Sequence, residues 1–254
     1  MPKADIYTLL ALLLICILIC ERAFPYQALE KSKFWYPRFA LLFLAANGVG
    51  LLAENTWIPF LKHSAALKLL APFPDLAQGG LGFVLGSFFF YWWHRWRHEI
   101  EWLWNIFHQM HHAPKRIEGF TAFYVHPLES VVSSLLNAAL LFSLGASTEG
   151  FIWSIFFFSL IGVFYHSNLK TPLWLSYWVN TPELHRIHHL RGKHRNNYSD
   201  LPVWDRIFGT FQAPKTHAEQ AEYGFRENLE THFFEILTFK NVLRKYPRRQ
   251  NPKA

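Results

Sequence analysis

The chain has 254 residues, 51% of them hydrophobic and 18% aromatic, enough to bury one large core or to cross a bilayer several times. It has two cysteines, Cys16 and Cys20, one turn apart in an apolar run, which excludes a disulfide framework and leaves the redox compartment undetermined. Its net charge of +7, which leaves histidine neutral, comes without any basic reading helix or zinc finger, so nucleic acid is excluded and membrane orientation beside anionic headgroups accounts for the excess.

Apolar runs at residues 6–20, 39–52, 81–93, 131–144 and 151–165 predict five membrane helices. Each is shorter than the ~20 apolar residues of a full span, so flanking aromatics complete it or the bilayer thins locally. The first run has only Lys3 against Asp5 ahead of it, no small-residue cleavage site after Cys20, and Ile19 where a lipoprotein site wants a small residue; it reads as a retained helix. Pro25 and Pro37 bracket the first loop, whose Arg22, Lys31, Lys33 and Arg38 orient it to the cytoplasm. Residues 71–80, APFPDLAQGG, read as a turn-rich outer connection, with Gly79, Gly80 and Gly82 as flexible turn and not as a dinucleotide fingerprint.

From Leu81 a helix can run through FFFYWW into HRWRH, with Trp92, Trp93, Trp96, Trp102 and Trp104 at headgroup level. The next histidine cluster follows IEWLWNIF, close enough to fold back on the first. The fourth and fifth runs make a hairpin, and the segment after them carries fourteen Lys and Arg against eight acids. A single topology then puts every histidine cluster on the cytoplasmic side. No repeat or long linker interrupts residues 1–254, which read as one all-α, multi-pass membrane domain with a His-rich cap.

Ten of the fourteen histidines fall in clusters: His94 and His98; His108, His111 and His112; His126; His166; and His185, His188 and His189. Residues three and four apart share a helix face, so HRWRH, HQMHH and HRIHH are each expected to point all their imidazoles one way. Four imidazoles saturate a tetrahedral ion, so eight to ten candidates imply two metals. In NTPELHRIHH, Thr181 is the expected N-cap, Pro182 the first helical residue and Glu183 the acid at the positive helix end. His166 ends the fifth run, where it drops onto the site. His126 reads equally as a ligand or as a capping or outer partner, and His194, off the favoured face, as an outer or substrate contact or neither. His63, His217 and His232 read as solvent-facing.

Glu99, Glu118, Glu129, Asp200 and Asp205 are the carboxylates nearest the clusters and are candidates to orient the rings, with surface solvation as their default. No HExxH pair is present, since His98-Glu99 leads to Trp102, which argues against a metalloprotease. WDRIFGTF at 204–211 is a short amphipathic piece able to pack under the site. No chemistry is assigned beyond Ala213.

These motifs, HRWRH, HQMHH, FTAFYVHPLE, FYHSNL, TPELHRIHH and NYSDLPVWDRIFGTF, in this order from His94 to Phe211, resemble the fatty acid hydroxylase and sterol desaturase superfamily. The resemblance implies a catalytic region at about 81–213 and a non-haem diiron oxygenase that uses O2 to attack an unactivated C–H bond of a fatty acyl, sterol, carotenoid or alkyl-ether lipid. It implies His94, His98, His108, His111, His112, His185, His188 and His189 as metal ligands, followed by His166 and then His126. Neither HPGG nor a flavin fold is present, so a separate cytochrome, ferredoxin or reductase is implied as electron donor, in the inner membrane of a bacterium or the endoplasmic reticulum of a eukaryote. Desaturation is the close alternative, and a non-redox membrane metal-binding protein or a zinc hydrolase the more distant one, because imidazoles also suit zinc. Two departures stand out: Ser199 where relatives read NYG, and Gly162 where some carry a further histidine.

Overall fold

The computed structural model describes residues 1–215, 221–225 and 227–245. His217 lies outside the described residues. All five apolar runs lie in or on helices: α1 (Lys3–Ala23), α2 (Trp35–Asn55), α4 (Asp75–Glu99), α6 (Pro127–Ser143) and α7 (Thr148–His166). A short α3 (Trp57–Leu61) follows α2. Among the described residues α1, α2 and α7 are long and apolar enough to cross a membrane, while α6 is apolar but has only 17 residues. Much of the apolar surface of α1 and α2 faces outward, with Leu12 61% and Leu44 68% exposed, as expected of helices whose solvent is lipid.

The glycines expected to form a flexible turn lie inside α4, which starts at Asp75 rather than at the apolar run. A Cβ on Gly79 would come within 2.2 Å of Trp153 Cβ, one on Gly82 within 2.9 Å of Leu141, and one on Gly86 within 2.8 Å of Phe158. Absent side chains at i, i+3 and i+7 let α4 approach α6 and α7 closely, the small-residue packing that membrane helices use where no hydrophobic force drives association. Composition points to a turn because glycine is a helix breaker in water, but here close packing outweighs that propensity.

Beyond Glu99 the chain builds a cap on one end of the bundle. A three-residue α5 (Glu101–Leu103) runs into a π-helical turn at Trp104–His108. A 3-10 turn at Gly119–Phe123 precedes α6. After α7 come a 3-10 turn at Leu173–Tyr177, α8 (Pro182–His189), α9 (Pro202–Ile207), a 3-10 turn at Leu229–His232, α10 (Phe233–Leu237) and α11 (Val242–Lys245). Leu229, Phe233, Ile236 and Val242 pack in one cluster with Trp35, Met110 and Tyr124. The segment left without a role by sequence therefore closes the cap against α2.

Candidate metal centre

Nine histidines converge in the cap as two groups. His94, His98, His108, His112 and His188 form one; His111, His166, His185 and His189 form the other, with the candidate ligand atoms of each group within 4.8 Å of one another. Each group is able to hold a metal ion.

HRWRH keeps both its imidazoles in one group, as its spacing suggests, but HQMHH and HRIHH do not. His108 and His112 join one group while His111 joins the other, and His185 and His189 part in the same way from His188. At 100° per residue, i+4 falls 40° past i whereas i+3 falls 60° short, so i and i+4 meet on one ion and i+3 turns toward its neighbour.

Backbone oxygens set several tautomers. His94 Nδ1 donates to the Tyr198 carbonyl at 2.6 Å, His188 Nδ1 to Asn196 at 2.7 Å and His166 Nδ1 to Gly162 at 2.7 Å. A carbonyl only accepts, so each of these rings carries its proton on Nδ1 and presents an Nε2 lone pair inward. His194 does the same for His112: its Nε2 donates to the Gly224 carbonyl at 3.3 Å, leaving its Nδ1 to accept from His112 Nδ1 at 3.0 Å. The inward Nε2 atoms then crowd together, at 3.3 Å for His94 and His98, 3.2 Å for His112 and His188, and 3.0 Å for both His166–His185 and His185–His189. Lone pairs facing at that range repel unless a cation lies between them, so the donor set fits metal binding.

Burial also keeps the cap imidazoles neutral. It pushes His108, His111, His112, His185 and His189 well below the ordinary histidine value and His188 down to about 3. A protonated ring has no lone pair to give, so desolvation prepares ligation.

A second layer of residues holds the loop that carries these carbonyls. Asn197, in the left-handed region at φ 56°, donates to the Leu184 and Gln212 carbonyls and accepts from Gln212 N. Asp205, at the base of α9, accepts from Tyr198 N at 2.8 Å, Ser199 N at 2.9 Å and the Thr210 hydroxyl at 2.6 Å. Ser199 is not among the positive-φ residues, so this turn has no need of glycine there. Among the other carboxylates, Glu129 pairs with Arg97 and stands 3.7 Å from His108 Nδ1. Glu99 pairs with Arg95, and Glu118 with Arg22 and Arg116. Burial raises Asp200 to about 6, against a hydrogen bond from the Tyr165 hydroxyl. Arg97, Tyr165 and Asn197 lie inside the HRWRH, FYHSNL and NYSDLPVWDRIFGTF motifs, yet no role is legible for them from sequence, because a single polar residue carries no signature of its own.

His126 joins neither group. Its Nδ1 caps α6 by accepting from Leu128 N at 3.1 Å, and its Nε2 donates to the Leu237 carbonyl at 3.1 Å. Both ring nitrogens are thus engaged by backbone. His63 is exposed, and His232 contacts Glu235.

Two cavities reach the centre. One, ≈ 810 Å³, touches His98, Trp104, Tyr198 and the charged Arg95, Glu99 and Arg195. The other, ≈ 450 Å³, lies among α2, α4, α6 and α7 and reaches His94, His108, His111, His166 and His185.

A model of the fatty acid hydroxylase family matches residues 80–210. The chain is 30% identical to an ornithine lipid hydroxylase, OlsE, of Rhizobium tropici over 78% of its own length and 64% of that protein. It is 32% identical to an alkylglycerol monooxygenase of Xenopus tropicalis over 59% of this chain and 33% of the relative. It is 29% identical to the sphingolipid C4-hydroxylase sur2 of Schizosaccharomyces pombe over 62% and 58%. The chain thus spans between one third and two thirds of the length of these relatives. No solved structure matches.

Proposed function

The chain belongs to the fatty acid hydroxylase family, and from that premise we propose that it is a membrane-bound oxygenase that hydroxylates an unactivated C–H bond of a lipid with O2 and electrons from a separate donor protein. The observation that carries this reading is the convergence of nine imidazoles in two groups, five of them lining one end of a cavity that runs down into the apolar bundle. Relatives named as hydroxylases of ornithine lipid and sphingolipid and as an alkylglycerol monooxygenase support the substrate class.

His94, His98, His108, His112 and His188 would hold one iron, and His111, His166, His185 and His189 the other. Bound there, two irons would pass electrons from the donor protein to dioxygen and would supply the oxidant that attacks the C–H bond. The chain's own residues do the rest. Along α7 the inner cavity extends from His166 to Phe151, about 22 Å by helix rise, so it accepts an extended chain end-on to the histidines. On its α2 side it meets Ala46, Val49 and Gly50, and a Cβ on Gly50 would meet nothing within 4 Å, which leaves a path for lipid from the bilayer. Wall shape selects the carbon that reaches the centre, and fixed positioning contributes much of the rate. Asp200 and the Tyr165 hydroxyl, both in that wall, hold a proton between them near neutral pH. The second cavity, on the His98 side, gives water and the electron donor their approach, and the excess positive charge favours placing this side in the cytoplasm.

The test is metal content and product mass in detergent-purified protein. About two irons per chain, with product that gains one oxygen from labelled O2, is the expected result. Loss of two hydrogens instead would identify a desaturase. Tightly held zinc, with no oxygen-dependent turnover after iron reconstitution, would overturn the reading in favour of a hydrolase or metal-binding protein.

A further inference from the structure

The inner cavity is mostly apolar, but one face of it is not. Ser130, Ser133, Ser134 and Asn137 all line it, spaced i, i+3, i+4 and i+7 on α6, which makes one polar stripe on one helix face. Ser159 of α7 joins them. Elsewhere in the bundle Ser87 donates to Val84 and Ser143 to Leu140, each bonding its own helix, although Ser154 of α7 has no such bond. Among the described residues no such bond engages the stripe serines. Asn137 is only 6% exposed, yet its Oδ1 has no hydrogen-bond partner.

Polar side chains inside an apolar bundle are costly, and they mark a ligand path when they face a cavity. A plain alkyl chain would leave the stripe unsatisfied, and an unpaired buried amide is disfavoured more strongly than a made hydrogen bond is favoured. By helix rise Asn137 stands about 12 Å along α6 from Glu129, which is beside His108. Past it the cavity turns apolar, at Phe151 and Ile155.

We propose that this stripe is a recognition site for a hydroxyl or amide group carried part-way along the lipid, so that the chain selects lipids with an internal hydrogen-bonding group over plain hydrocarbon chains. The stripe then sets register: with the polar group held at Asn137, a fixed stretch of chain separates it from the carbon beside the histidines. This deepens the proposed function and rests on it for the identity of the reacting carbon, but the binding preference itself requires no metal.

The experiment is competitive retention of free lipids on the detergent-solubilised full chain, read by native mass spectrometry. The probes are stearate, a series of monohydroxystearates with the hydroxyl moved along the chain, and an amide-interrupted chain of equal length. The wild-type protein should retain one positional isomer about tenfold over stearate, and the hydroxyl and amide arms identify which group is preferred. Asn137→Leu should erase that preference while keeping stearate binding. Ser133→Ala/Ser134→Ala, which leaves the helix fold undisturbed, should weaken the preference without abolishing it. Equal retention of all probes, unchanged in both variants, would show a stripe that only holds water and would overturn the proposal. Selective retention by protein that proves to be a zinc hydrolase would sink the oxygenase reading and leave this one standing. Oxygen-dependent turnover with a preference for stearate would do the reverse.

Discussion

The two histidine groups use the same side chain but sit in different surroundings. His111, His166, His185 and His189 are all buried, whereas His94 and His98 of the other group are half-buried, and His98 faces the larger cavity. The open group has four rings held through outer partners, the carbonyls of Tyr198 and Asn196, the His194 ring and the Arg97 guanidinium. In the sealed group His166 donates to the Gly162 carbonyl and His111 is influenced by a backbone hydrogen bond with Tyr124, while the Nδ1 atoms of His185 and His189 have no hydrogen-bond partner. Exposure therefore goes with a braced second layer, and burial with reliance on packing. Where water competes for a ligand, orientation has to be enforced by hydrogen bonds; where water is excluded, the walls enforce it.

The most severe way to break the comparison is to remove one ligand from each side. His98→Ala and His185→Ala should each abolish oxygen-dependent turnover and lower metal content by one ion per chain. Loss of both ions in either variant, measured by elemental analysis, would show that the groups form a single cooperative site.

Bracing of the open group is tested next through Asp205, which touches no histidine. Asp205→Ala removes the acceptor for Tyr198 N, Ser199 N and Thr210 at once, loosening the loop whose carbonyl orients His94. Metal affinity of the open group should fall about 10- to 100-fold while the sealed group keeps its ion. Equal loss from both groups would mean that Asp205 supports the cap as a whole.

The division between groups also marks the limit of what the sequence reveals. Metal chemistry is legible because imidazoles at i and i+4 repeat three times, and α8 is legible because Thr181, Pro182 and the apolar spacing obey capping rules. The assignment of His111 and His188 to opposite groups is not, since it depends on the 100° between i+3 and i+4 and on how the segments that carry the motifs face one another. Gly79 and Gly82 mislead for a related reason: their meaning lies in Trp153 and Leu141, far away along the chain. The stripe on α6 was readable as a periodicity, S-x-x-S-S-x-x-N, but only the cavity distinguishes it from a solvated face.

Access gives a smaller, kinetic effect. With a soluble chelator, metal should leave in two phases, the open group at least about tenfold faster, because the shell around an ion controls solvent entry. His98→Ala protein should then show only the slow phase. A single phase in the wild type would make the two environments equivalent in solution.

The mildest effect is that of pH on the metal-free chain. Burial holds His111, His185 and His189 of the sealed group well below the ordinary value, and His188 of the open group at about 3. In the unfolded chain the same rings titrate near 6.5. Below that pH the unfolded state binds more protons than the folded one, so stability is complete above about pH 6.5 and falls as pH drops toward 3, by up to about 1.4 kcal/mol per pH unit for each such ring. Thermal melting of metal-free protein should therefore decline from pH 7 to pH 5, and His189→Gln, which removes one titrating ring, should make the decline shallower. Bound metal excludes protons from the same nitrogens, so in loaded protein the decline should begin only at the pH where metal is released. If the two curves coincided, the cap would owe its acid sensitivity to groups other than these imidazoles.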